Sequence, residues 1–160
     1  MKVIEIEYER VHIFMSIIRL VRRGKMDEKM VQKIVKEAYS KVAQGEENCT
    51  CGTCGSNSNE FAKALGYSQE ELKIIPDESN LGLGCGNPIA LSNLEAKEVV
   101  LDLGSGAGFD AFLAANKVGA EGKVIGIDMT PEMIEKAEEN ARKNEINNVE
   151  FKLGQIEDLP

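Results

Sequence analysis

Hydrophobic and polar positions follow two different rhythms along this chain, and the change falls near residue 98. Beyond it, short apolar runs predict buried parallel strands at Val99–Leu103, Lys123–Ile127 and Val149–Leu153. Helical spacing runs through Phe109–Val118 and Pro131–Lys143. The second helix has Thr130 as its cap and Pro131 at its first position, where a missing N–H costs nothing. This βαβαβ order implies right-handed crossovers and a Rossmann-like α/β fold, a parallel sheet with helices on its faces.

Before residue 98 the rhythm is helical. Val31, Ile34, Val35, Ala38 and Val42 recur at helical spacing until Gly45 stops them. Short helices are expected around Glu60–Leu65 and Gln69–Ile74. Ser68 and Glu71 form a capping box for the second, and Pro76 ends it. Two loops interrupt this region. One is polar and spans Gln44–Asn59; the other, Asp77–Asn87, contains the glycine-dense run Leu81-Gly-Leu-Gly-Cys-Gly-Asn-Pro88. Residues 1–25 read as a short alternating segment and an apolar, basic-ended helix, either an upstream extension before a start at Met26 or a genuine extra helix. The expected organisation is therefore 1–25, a helical cysteine-bearing region at 26–94, and the sheet at 95–160.

Charge and composition narrow the function. A chain of 160 residues suits one ordinary core, and a net charge of −8 argues against a nucleic-acid surface, which needs clustered Lys and Arg. The single basic cluster, Arg19, Arg22, Arg23 and Lys25, is too short to alter that. The apolar run Val11–Val21 is broken by His12, Ser16 and Arg19 and falls short of the ~20 residues that span a bilayer. Four cysteines without a signal peptide point to a reducing, cytoplasmic compartment, where clustered thiols more often serve metal or thiol chemistry than structural disulfides.

The turn Asp102-Leu-Gly-Ser-Gly-Ala-Gly108 joins the first strand to the first helix, and Asp128 follows the second strand, 20 residues beyond Gly108. An acidic side chain there can accept both hydroxyls of a ribose. Dinucleotide sites space their glycines G-x-G-x-x-G to seat a pyrophosphate. Here the spacing is G-x-G-x-G, and a carboxylate stands two residues before the first glycine, where it suits a cationic ligand better than an anionic one. S-adenosylmethionine, with a sulfonium, an ammonium and no phosphate, is favoured over NAD.

These residues resemble the cofactor motif of class I methyltransferases. The resemblance implies that Gly104, Ser105 and Gly106 lie along the methionine part of S-adenosylmethionine, with Asp102 and Gly108 completing the turn. Asp128 would hold the ribose and Met129 would pack on the adenine. Ile156 with Glu157 or Gln155 would meet the adenine edge.

A narrower likeness is to the arsenite methyltransferases. It rests on Ile34-Val-Lys-Glu-Ala-Tyr-Ser-Lys-Val-Ala43, the cysteine-rich loop, Leu65-Gly-Tyr-Ser-Gln-Glu-Glu-Leu72, and Ile75-Pro through Gly84-Cys-Gly-Asn-Pro88. The resemblance implies that Cys85 binds trivalent arsenic and takes part in redox cycling. One of Cys49, Cys51 and Cys54 would exchange disulfides with it, Cys51 and Cys54 being the upstream candidates for arsenic ligation. Soft arsenic prefers thiolates to oxygen or nitrogen. Implied partners are arsenite or methylated arsenicals, a thiol reductant such as thioredoxin or glutathione, and a separate C-terminal half. The family draws two further arsenic-binding cysteines from a later half that these residues do not include, so the chain reads as an N-terminal portion with an exposed sheet edge. Other readings stay open at this point: a zinc site built from the four cysteines, Cys85 as a plain buried thiol, a class I methyltransferase for a quinone, sterol or other carbon substrate, an NAD-dependent enzyme, or a non-catalytic fragment that binds arsenite, metal or cofactor.

Overall fold

A computed structural model describes residues 2–5, 27–46, 58–84 and 86–160. Its centre is a parallel sheet in which every neighbour is also a neighbour in sequence order. The three expected strands are present as β2 (Val99–Leu103), β3 (Lys123–Asp128) and β4 (Val149–Leu153). Successive residues Val100, Leu101 and Asp102 are all buried, as a strand covered on both faces requires. A further strand, β1 (Lys2–Glu5), pairs in parallel with β2, so the alternating start of the chain is part of the sheet. The remainder of the 1–25 segment lies outside the described residues.

The expected helices fall close to their bounds as α1 (Glu28–Gln44), α2 (Ser58–Ala64), α3 (Gln69–Ile74), α5 (Phe109–Val118) and α6 (Pro131–Lys143), and a single turn that was not expected, α4 (Pro88–Leu91), precedes the sheet half. Asp27 caps α1 by accepting from the Met30 N–H at 2.8 Å, and Gly45 ends it in the left-handed conformation. The Ser68–Glu71 capping box of α3 is complete. Thr130 stands at the cap position of α6, but its side chain makes no capping bond. Two positions earlier, Asp128 Oδ1 accepts from the Thr130 N–H at 2.8 Å.

Apolar side chains of α5, α6 and the strands form the main core, including Val100, Phe112, Leu113, Val118, Val124, Ile134 and Phe151. Phe112 and Phe151 meet edge to face with ring centres 5.7 Å apart. A smaller cluster of Ala43, Ala107 and Met133 seats α1 against α6. The register aligns Leu103 with Ile127, so the chain leaves β2 beside the end of β3. That alignment positions the site.

Candidate cofactor site

The turn after β2 is built from main-chain bonds. Gly104 and Ser105 both donate to the Ile127 carbonyl, at 2.8 and 3.0 Å. Gly106 donates to Asp128 Oδ2 at 2.9 Å, so the carboxylate of Asp128 bridges the turn and the start of α6. Each of its oxygens keeps a second lone pair for a ligand hydroxyl.

Two glycines of this turn serve opposite purposes. Both Gly106 and Gly108 hold positive φ, of 52° and 92°. A Cβ on Gly106 would enter open space, whereas one on Gly108 would strike the Phe112 and Phe151 rings at 2.7 and 2.8 Å. Gly106 leaves clearance for a ligand. Gly108 leaves clearance for the core.

Above the turn lies a cavity of about 90 Å³ lined by Asp102, Gly104, Ser105, Gly106, Asp110 and Tyr67, with Leu81–Gly84 and Phe109 on its apolar side. Asp102 is completely buried, and neither carboxylate oxygen has a hydrogen-bond partner; Ser105 Oγ is likewise unpartnered. Burial first, then the charges of Asp110 and Asp128, push the Asp102 carboxyl well above the ordinary carboxylate range. A buried acid without partners is costly. A cation with N–H donors placed in the cavity would relieve it, and a phosphate would worsen it. The residues present therefore fit the ammonium and sulfonium of S-adenosylmethionine. The cavity is small beside the ~300 Å³ or more of ordinary ligand pockets, so it houses only one end of such a molecule.

Residues 94–160 match a family model described as a methyltransferase domain. The chain is 47% identical over 146 residues to an arsenite methyltransferase of Halobacterium salinarum, a match covering 84% of this chain and 37% of that protein. It is 37% identical to an arsenite methyltransferase of Aquipseudomonas alcaligenes, over 78% of this chain and 36% of the relative. A human arsenite methyltransferase is 32% identical over 81% of this chain and 35% of its own length. The chain belongs to the arsenite methyltransferase family. It spans a little over a third of the length of these relatives. The cofactor of the family is S-adenosylmethionine, in keeping with the charge of the cavity.

Against the family's expected cofactor residues, the structure gathers one group and leaves another apart. Asp102, Gly104, Ser105 and Gly106 line the cavity together. Asp128 joins them through Gly106, while Met129 beside it is half-buried. Gly108 faces the core. Ile156 and Glu157 are exposed and do not line the cavity; their segment follows Gly154, which donates to the Asp128 carbonyl at 3.0 Å. Cys85, Cys51 and Cys54, expected to bind arsenic, and Cys49, expected only as a disulfide-exchange partner, lie outside the described residues.

Two residues of the cavity escaped the reading of the chain. Tyr67 and Asp110 are both buried and hydrogen bonded to each other at 2.8 Å. Burial foremost, with Glu71 adding, raises Asp110 to about 7, against the lowering effect of its bond to Tyr67. The available signal was a lone acid in the otherwise apolar Phe109-Asp-Ala-Phe-Leu-Ala-Ala stretch of α5.

Proposed function

We propose that this chain provides the cofactor-binding part of an S-adenosylmethionine-dependent methyltransferase that methylates trivalent arsenic held by cysteine thiolates. One observation carries the cofactor half of the proposal. Asp102 and Ser105 present buried, unpartnered polar atoms to a cavity whose floor, at Gly106, is clear of side chains. Asp102 would hold the cationic end, and Asp128, fixed by two backbone N–H groups, would hold ribose hydroxyls. When bound, S-adenosylmethionine supplies an electrophilic methyl group on a sulfonium centre.

The arsenic half rests on family membership and on chemistry. Thiolate-bound trivalent arsenic is soft and retains a lone pair, so it can accept a methyl group without a general base. The chain's single His, at position 12, is then no obstacle. Methylation raises arsenic formally by two electrons, which calls for a thiol reductant such as thioredoxin or glutathione. Cys85 is the proposed arsenic ligand within this chain, with Cys49, Cys51 or Cys54 as its exchange partner. Further ligands would come from the remaining length seen in the relatives, whether continuous with these residues or carried by a second chain.

Calorimetric titration tests both halves separately. S-adenosylhomocysteine should bind saturably, and Asp128→Ala should remove that binding. Arsenite should bind the wild-type chain but not Cys85→Ser, with the cofactor titration unchanged. Arsenite binding that survives Cys85→Ser would refute the thiolate assignment and turn attention to a carbon acceptor.

A further inference from the structure

The hydroxyl of Tyr67 lies 2.8 Å from Asp110 Oδ1 and 2.6 Å from the carbonyl oxygen of Gly86. A phenol carries one hydrogen, and a peptide carbonyl can only accept. If Asp110 were ionised, Tyr67 would face two acceptors with one hydrogen, leaving one short contact repulsive. Both contacts become hydrogen bonds when Asp110 donates to Tyr67 Oη and Tyr67 donates to Gly86. Burial holds the Tyr67 phenol above its ordinary range, which excludes a phenolate as the central acceptor.

The surroundings agree with this proton count. Asp110 sits in the first turn of α5, whose dipole favours an anion. Against that stand its burial and the acids that face it: Glu71 from α3 and Asp102 from β2, with Tyr67 as its direct partner. Gly86 directly follows Cys85 in the chain. The next residue, Asn87, is anchored separately, its Nδ2 donating to the Gly66 carbonyl at 3.1 Å. Both anchors therefore come from the Gly66–Tyr67 corner: one phenol holds the Gly86 carbonyl, and one backbone carbonyl holds the Asn87 side chain.

We propose that Asp110 and Tyr67 are positioning residues, a donor relay that runs from the cofactor cavity to the Gly86 carbonyl and holds Gly86, the residue that follows Cys85 in sequence, in place. The importance of that position rests on the thiolate reading above; the relay itself does not. When Asp110 loses its proton to solvent, the single hydrogen of Tyr67 turns to the carboxylate and the Gly86 carbonyl is released. A cationic ligand beside Asp102 and Asp110 favours that ionised form, so occupancy of the cavity and fastening of Gly86 are coupled.

The test follows the backbone amide of Asn87 by NMR in the 160-residue chain across pH 5–9, without arsenite or cofactor, since its shift reports hydrogen bonding at the Gly86 carbonyl. In the wild type this signal should titrate with a midpoint near 7. Asp110→Asn, whose amide still donates, should hold it at the low-pH position throughout. Tyr67→Phe should place it at the released position at every pH. The relay is wrong if the Asn87 signal is indifferent to Tyr67→Phe, or titrates equally in Asp110→Asn, in which case Asp102 would be the titrating group. As a functional readout, Tyr67→Phe should weaken arsenite binding about three- to tenfold, as loss of one hydrogen bond would, with partial recovery in no buffer. Loss of arsenite binding in Cys85→Ser is a separate result and leaves the amide titration standing.

Discussion

The two sides of the cavity are held by different means. On the sheet side, main-chain bonds to the Ile127 carbonyl and the Asp128 carboxylate set every position from Gly104 to Gly106. On the helical side, individual side chains reach across long stretches of sequence: Tyr67 to Asp110 and Gly86 at the cavity itself, and, away from its lining, Lys117 to the Ile89 carbonyl, Lys136 to the Ala43 carbonyl and Lys143 to Glu78. A wall made of backbone tolerates changes of side chain and punishes an added Cβ. A wall fastened by side chains does the reverse, and can be opened by changing one group.

The largest effect should come from overfilling the backbone wall. Gly108→Ala combines a left-handed conformation with two aromatic collisions, and should cost about 2–4 kcal/mol in urea unfolding. Gly106→Ala breaks the same turn differently: with open space for its Cβ, it should lose about 1 kcal/mol of stability yet bind S-adenosylhomocysteine at least about tenfold more weakly. Equal losses of stability in the two variants would dissolve the distinction between core and ligand clearance.

Asp102→Asn sharpens the electrostatic side. Calorimetry should show cofactor-product affinity reduced about ten- to a hundredfold, as for loss of a charged hydrogen bond, while the urea midpoint near neutral pH holds or rises because a buried, unpartnered acid is gone. The pH dependence has a defined sign. Asp110 and Asp102 both have folded-state pKa values raised above those of the unfolded chain, so the folded state binds more protons. Their stabilisation is complete below about pH 4 and is lost as pH rises, for Asp110 through about 7. Urea midpoints should therefore fall between pH 4 and 7 from this source, with a shallower fall in Asp110→Asn. The smallest effect belongs to the exposed Lys143–Glu78 pair: Lys143→Met should leave the unfolding midpoint within error.

Much of the sheet half was legible because its signals are local. Apolar runs, the glycine turn and Pro131 mark β2, α5, β3, α6 and β4 to within a residue, and Asp102 and Asp128 were found by their distance from the glycines. Other features depend on partners far away. Gly108 shares a motif with Gly106, and only the packing of Phe112 and Phe151 separates their roles. Tyr67 and Asp110 are 43 residues apart, and no spacing rule links a loop tyrosine to a helix acid. The Thr130 cap was expected from residue type, but its side chain makes no capping bond, and its own N–H is given to Asp128. Alternation in the first residues suggested an extended segment without naming the strand beside it.

That last strand has a kinetic consequence. β2, β3 and β4 are joined by crossovers of modest length, so their pairing closes short loops. β1 pairs Lys2 with Val100, across nearly a hundred intervening residues. β1 is thus made long before its place is available, since β2 must be synthesised before there is an edge to receive it. Until then the strand's backbone donors and acceptors are open to other partners, and nascent chains of this protein should be most prone to mispairing while the stretch between residues 5 and 99 is being made.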